Sequence, residues 1–233
     1  MLRVKGLGLI RTGAGEEYDE EFMDAMASEY ERQTSWTRMR LENVRLLVDP
    51  QPGERVLDVG SATGAIAHFL STLGCETVGV DLSERGVARA RERYPELRFE
   101  VADAAALPFA DGSFDKMVAA DVTEHLDDET LRGMLREARR VLVPGGTLSI
   151  HTPNPKHVIE RLKARNLVLA QNPTHIGLRT GPELGAELER AGFTVELDLR
   201  RPGFFPGLRT VERLTRGRVE LLGYRICIRA RRA

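Results

Sequence analysis

Arg55-Val56-Leu57-Asp58-Val59-Gly60-Ser61-Ala62-Thr63-Gly64 decides how this chain is read. A short apolar run passes into two glycines separated by small residues, and the apolar segment Ala65–Leu73 follows. That order predicts strand, tight loop, helix. Glycine at 60 and 64 lets backbone pass close to a ligand where a side chain would collide. A dinucleotide fingerprint needs its third glycine two residues after the second, to seat a pyrophosphate on a helix N-terminus. Here the spacing is Gly-x-Ala-x-Gly, and the strand ends near the acidic Asp58. A carboxylate facing the loop suits a cationic ligand better than a pyrophosphate.

The same alternation continues outward. Thr77–Val80, Leu97–Val101, Lys116–Ala120 and Thr147–Ile150 read as strands, with Glu84–Arg93 and Asp128–Leu142 as helices between them. The second helix has Leu131, Met134, Leu135, Ala138, Val141 and Leu142 on one face, and Pro144-Gly145-Gly146 is predicted to stop it. Thr180 and Glu183 are spaced as a capping box opening a further helix that ends at Gly192. Phe193–Leu199 and Tyr224–Ile228 read as two late strands. Upstream, residues 16–47 read as helical, with Phe22, Met26, Tyr30, Met39, Leu46 and Leu47 as apolar positions, and Asp49-Pro50-Gln51-Pro52-Gly53 breaks them off. The organisation predicted is a helical cap over residues 1–50 and a doubly wound α/β domain over 51–233. Its sheet is covered by helices on both faces. Residues 154–179 exceed an ordinary connection and read as a substrate-side insertion, a mobile cover lined by Leu167, Val168, Leu169 and Ile176 with His175.

Composition agrees with a globular domain: 233 residues, 42% apolar and 30% charged, exclude disordered, collagen-like and disulfide-scaffold classes. The longest uncharged run, Val59–Cys75, carries Ser, Thr, His and three glycines, so no membrane span is predicted. Met1–Arg11 has no long apolar segment of the kind a signal peptide needs. Cys75 and Cys227 give no disulfide framework and fit a reducing cytoplasm. The net charge of −1 hides an asymmetry, because Arg200–Ala233 holds ten arginines against Glu212 and Glu220. That basic end reads as a solvated arginine face, as contact with an anionic partner, or as pairing with the acidic body. No feature fixes an oligomeric state.

Two more acids join Asp58 at predicted strand ends: Asp81 after the second, placed for two ribose hydroxyls, and Asp103 after the third. Asp103 also reads as a helix cap. Together, Val56–Gly64, Val78–Asp81, Ala102–Phe109, Phe114-Asp115 and Val141–Gly146 resemble class I S-adenosylmethionine-dependent methyltransferases over about residues 38–200. The resemblance implies a seven-stranded, mostly parallel Rossmann-like sheet with an antiparallel last strand. It also implies S-adenosylmethionine as cofactor and S-adenosylhomocysteine as product. Cofactor contacts carry over to Asp58, Gly60, Ser61, Ala62, Gly64, Asp81, Leu82, Asp103, Ala104 and Ala120. Asp58 would lie near the methionine ammonium, and Asp103 and Ala104 at the adenine. Ala62 departs from the glycine usual in the family. Arg40 resembles an arginine of ubiquinone-pathway O-methyltransferases that approaches the cofactor carboxylate; the other reading is an exposed arginine on a helix.

Asp121-Val122-Thr123-Glu124-His125-Leu126 follows the fourth strand and should face the methyl group. Methyl transfer is an in-line displacement, so the protein supplies alignment and, where needed, a base. Glu124 and His125 are the candidate catalytic residues. Three readings of the trio Asp121, Glu124 and His125 stay open: a magnesium site like that of quinone-pathway and small-RNA methyltransferases, a base or substrate contact through His125, or a structural role. His68 reads as a packing residue, whereas His151 and His157 border the fifth strand. The function expected is methylation of an oxygen or nitrogen on a small molecule of quinone, natural-product or glycan type. RNA 2′-O-methylation and cofactor binding without catalysis are the alternatives. A near-neutral charge and few aromatics speak against nucleic acid.

Overall fold

The sheet follows from the alternation of short apolar runs and amphipathic ones. The computed structural model describes residues 9–12, 15–18, 28, 30, 32, 34–165, 167, 172, 174–203, 210, 212, 214 and 220–233. β1 (Leu9–Thr12) and β2 (Gly15–Tyr18) pair antiparallel with each other. The main sheet contains β3 (Arg55–Val59), β4 (Glu76–Asp81), β5 (Arg98–Val101), β6 (Phe114–Ala120), β7 (Leu142–Pro153), β8 (Phe193–Arg201) and β9 (Arg225–Arg232). Its order is β5-β4-β3-β6-β7-β9-β8, with β9 antiparallel to both neighbours. The chain order reverses beside β3, between β4 and β6, and ligands of open α/β sheets bind beyond the carboxyl ends at such a point.

Side-chain alternation assigns the two faces. Val56, Val118 and Ala120 meet Val44 and Val48 of α1 (Ser35–Val48), and Ile66 and Leu70 of α2 (Ala65–Thr72). α3 (Glu84–Arg93) packs Val87 and Ala90 on Phe99. Leu57, Val59, Met117 and Ala119 face the other way, toward α4 (Asp128–Val141). Asp127 starts α4 by accepting the Thr130 amide at 2.8 Å, and Leu131, Met134, Leu135, Ala138 and Val141 are all buried, the predicted face. Leu142 instead opens β7, and Pro144-Gly145-Gly146 lies within that strand, with Gly145 at φ 78°. After α5 (Val158–Lys163) comes α6 (Gly181–Arg190), whose capping box between Thr180 and Glu183 is present.

The helical reading of 16–47 is corrected at its start. Glu16–Tyr18 belongs to β2, Ser28 and Tyr30 are helical, and α1 then begins at Ser35, where the Thr34 side chain accepts the Thr37 amide. Gly13-Ala14-Gly15 between two short runs was the hairpin signal. Phe22 and Met26 lie outside the described residues, as do Val168 and Leu169 of the insertion.

Candidate functional site

β3 delivers Asp58 almost fully buried, 1% exposed, against the first turn of α2, where its Oδ2 accepts the Ala67 amide at 3.1 Å. Its Oδ1 is buried without a hydrogen-bond partner, as is Oγ of Ser61. Burial pushes the Asp58 carboxyl up to about 7, against the opposing pull of Arg40. The loop turns through Gly60 at φ 71°, Ala62 at 45° and Gly64 at 82°. A Cβ on Gly60 would sit 2.3 Å from Cγ2 of Val122, and one on Gly64 2.7 Å from Cζ of Phe99, so both glycines are required by space as well as conformation. The amides of Gly60 and Ser61 both donate to the Val80 carbonyl, at 2.8 and 2.9 Å, tying the loop to the end of β4.

Asp81 completes this first half. Its Oδ2 accepts the Ala62 amide at 2.7 Å and its Oδ1 the Ser83 amide at 2.9 Å. The carboxylate therefore holds the strained Ala62 turn. Burial raises its pKa while these amides oppose the rise. Leu82 beside it is 61% exposed, an apolar face next to a polar cleft. Exposed Asp103 accepts the Ala105 amide at 2.8 Å and so closes a turn; no helix follows it to be capped, and Ala104 is half-buried next to it. A cationic, ribose-bearing ligand fits this set. Asp58 and Ser61 keep buried polar atoms without partners, the loop has no side chains in the way, and Leu82 offers an apolar wall.

The second half is built on an ion network that the sequence did not reveal. Ala120 ends β6, and Asp121 takes φ 59°, a strained conformation for a residue with a side chain. Its carboxylate lies between Arg225, whose NH1 donates at 2.6 Å, and Arg40, whose Nε is 2.7 Å away in a charge contact without hydrogen-bond alignment. Burial would raise the Asp121 pKa, but the two guanidiniums hold it well below the usual carboxylate range. Arg40 is buried, which removes the exposed-arginine reading; it also donates to the Ala120 carbonyl at 2.7 Å and to the Tyr30 hydroxyl. Asn43 lies 3.4 Å from Nε2 of His151, and the Asp121 amide donates to the His151 carbonyl at 2.7 Å. Arg225 went unnoticed because it stands in the basic end. Its signal was positional: the first residue of an antiparallel last strand arrives beside the carboxyl end of β7.

Glu124 and His125 follow in a short 3-10 turn. Glu124 is 1% exposed, and its Oε2 accepts the Thr152 hydroxyl at 3.0 Å. Burial and the nearby Asp121 charge push it up to about 8. Nδ1 of His125 is 3.2 Å from the Thr174 carbonyl. A carbonyl only accepts, so Nδ1 is the donor in this contact. The His175 ring stands edge-on to His125 with centroids 5.0 Å apart, and burial lowers its pKa to about 4. Part of the insertion is thus fixed over this turn: the Gly177 amide donates to the Glu124 carbonyl at 2.8 Å, and Arg179 donates to the carbonyls of Thr123 and Leu126. Leu167 and Ile176 are 67% and 68% exposed and do not line a closed pocket as described.

The magnesium trio does not assemble. Asp121 is committed to two arginines, and the donor group that does gather is Glu124, His125 and His175, with ligand atoms within 4.8 Å of one another. Two imidazoles and one carboxylate do not suit magnesium, which takes oxygen ligands and keeps its waters. His68 stacks on Tyr94 away from these groups, and His157 caps α5 and pairs with buried Glu212 at 2.8 Å. Much of the described basic end is paired within the chain: besides Arg225, Arg229 faces Asp49 and Glu196, Arg231 also pairs with Glu196, and Arg200 pairs with Asp198.

Residues 56–146 match a protein family described as a methyltransferase domain. The chain is 32% identical to the O-methyltransferase resE of Aspergillus sclerotiorum over 202 residues, covering 81% of this chain and 69% of the relative. It is 36% identical to a probable S-adenosylmethionine-dependent methyltransferase of Mycolicibacterium smegmatis, covering 62% of this chain and 53% of that one. A demethylmenaquinone methyltransferase of Beutenbergia cavernae is 36% identical, covering 49% and 45%. The chain thus spans about half the length of the last two. Among solved structures, a protein from Pyrococcus horikoshii superposes with a TM-score of 0.68 at 19% identity, covering 92% of this chain and all of that one, a likeness of fold.

Proposed function

This chain belongs to the S-adenosylmethionine-dependent methyltransferases, and on that premise we propose that it methylates an oxygen or nitrogen of a small molecule of quinone or natural-product type. When bound, S-adenosylmethionine supplies an electrophilic methyl group on a sulfonium. The chain's own part is to hold that cofactor, align the acceptor and take up its proton. Asp58 and Ser61 would receive the methionine end, Gly60, Ala62 and Gly64 admit it closely, Asp81 and Leu82 take the ribose and one side of the adenine, and Asp103 with Ala104 the adenine edge. Ala120 borders the site, and Arg40 acts from below by fixing the Ala120–Asp121 turn.

One observation carries the reacting half: Nδ1 of His125 lies 3.2 Å from the Thr174 carbonyl, a contact in which the neutral ring would take an acceptor's proton at Nε2. Glu124, held neutral by burial, positions the same turn through Thr152. The O-methyltransferase and demethylmenaquinone methyltransferase among the relatives support the small-molecule acceptor, and the pairing of these arginines with acids of the same chain weakens the support for RNA. Two buried free cysteines favour a cytoplasmic site of action, and among the described residues no helix is long and apolar enough to cross a membrane. The test is turnover. Purified protein given S-adenosylmethionine and pooled phenols, quinols and amines should release S-adenosylhomocysteine, and His125→Ala should abolish release while still binding cofactor.

A further inference from the structure

At the opposite edge of the sheet, α4 and α6 both end, β8 begins and β9 finishes. Arg136, Arg139 and Arg140 from α4, Arg190 from α6, and Arg232 from β9 line one cavity of about 580 Å³ there, with Asp111 as the single acid among the described residues. Arg140 is matched: it pairs with Asp111 at 3.0 Å and Glu137 at 2.8 Å. Arg190 pairs with Glu187 at 2.6 Å. Arg136, Arg139 and Arg232 have no carboxylate within ion-pair distance among the described residues, and Nε of Arg232 is buried without a hydrogen-bond partner. Arg232 spends one nitrogen on the carbonyls of Arg140 and Leu142, and Arg139 rests against Gly192.

Arginines at helix ends have an ordinary explanation, since a helix C-terminus carries a partial negative charge. Each terminus supplies about half an elementary charge, so two supply about one. Three unmatched guanidiniums therefore leave about two positive charges facing one concavity, more than helix capping accounts for. A phosphate monoester carries about that charge in negative sign at neutral pH, and planar guanidiniums meet its oxygens in pairs. The cavity's volume falls within the roughly 300–1,000 Å³ of small-ligand sites.

We infer that this edge is a second binding site, for the phosphoryl group of a small phosphorylated ligand, separate from the methyl-transfer site and independent of the reaction proposed there. The experiment is calorimetry on the full chain with inorganic pyrophosphate, then ribose 5-phosphate against ribose, then a single-stranded RNA oligonucleotide. Pyrophosphate and ribose 5-phosphate should bind saturably and ribose should not. Arg136→Gln with Arg139→Gln, which removes no internal hydrogen bond or ion pair among the described residues, should weaken pyrophosphate by about tenfold or more. Asp111→Asn should tighten it severalfold, because the cavity's acid is lost; this exposed residue leaves folding intact and keeps the question decidable if the double variant does not fold. S-adenosylmethionine affinity should stay constant throughout. No saturable pyrophosphate binding, equal affinity in the arginine variant, weaker binding in Asp111→Asn, or binding by RNA alone would each overturn the inference.

Discussion

Asp58 links stability to cofactor binding in opposite senses, and pH separates the two. Burial raises its carboxyl from the ordinary 3.8 to about 7. A carboxyl whose native pKa exceeds its unfolded one holds its proton better when folded. Its contribution is fully present below pH 3.8 and is lost as pH rises through 7. Between pH 6 and 8 that loss comes to about 1.4 kcal/mol, about three quarters of it below pH 7. Binding runs the other way, because the methionine ammonium pairs with the ionised form. At pH 6 about one molecule in eleven has Asp58 ionised, and at pH 8 about ten in eleven, so S-adenosylmethionine should bind about tenfold more tightly at pH 8. Asp58→Asn keeps an acceptor for the Ala67 amide but cannot ionise. It should bind cofactor weakly at both pH values and lack the wild-type loss of stability between them. Titration calorimetry in two buffers of different ionisation enthalpy should also show nearly one proton released per cofactor at pH 6 and almost none at pH 8. Equal wild-type affinity at the two pH values, or the same slope in Asp58→Asn, would refute the reasoning.

Three further outcomes follow from the same geometry. Gly60→Ala should lower the unfolding free energy by more than the ~1–2 kcal/mol of left-handed alanine, because its Cβ meets Val122; Val122→Ala in the same chain should restore part of that loss in a denaturant melt. Asp81→Ala should weaken S-adenosylmethionine by at least about tenfold, as both the ribose partner and the brace on the Ala62 amide go, with Asp81→Asn intermediate in calorimetry. His125→Ala should cut kcat by about a hundredfold or more at unchanged cofactor affinity, whereas EDTA should leave wild-type turnover intact, since the Glu124, His125 and His175 donors do not suit magnesium.

What the sequence made legible was whatever depends on local pattern. The glycine spacing after Val59, the Leu131 to Val141 stripe and the Thr180–Glu183 box each lie within one element and its neighbour, and each reappears at its predicted place. The Asp121 network was illegible for the opposite reason. It joins Arg40 to Arg225 through a strand end, and no local period marks residues so distant in the chain as partners. The eight acids between Glu16 and Glu31 and the ten arginines after Leu199 gave only a charge imbalance, compatible with solvent, a partner or mutual pairing.

Topology turns that imbalance into function. Placing β9 antiparallel between β7 and β8 sends its first residue, Arg225, to the carboxyl edge and its last, Arg232, to the amino edge. One strand therefore supplies a guanidinium to each end of the sheet. At the carboxyl edge Asp121 meets it, and the charge is consumed in fixing the turn that carries Glu124 and His125. At the amino edge no carboxylate among the described residues meets Arg232, while Arg136 and Arg139 add to it. The same residue type is thus structural where an acid was placed opposite and ligand-seeking where none was. Adding an acid at the amino edge, as in Gly192→Asp, would be a poor test of this contrast because Gly192 lies at φ 82° against Arg139. Ala191→Asp, on the half-buried floor of the same cavity, avoids that strain; it should abolish pyrophosphate binding while leaving S-adenosylmethionine affinity unchanged, which a thermal-shift titration with each ligand would read directly.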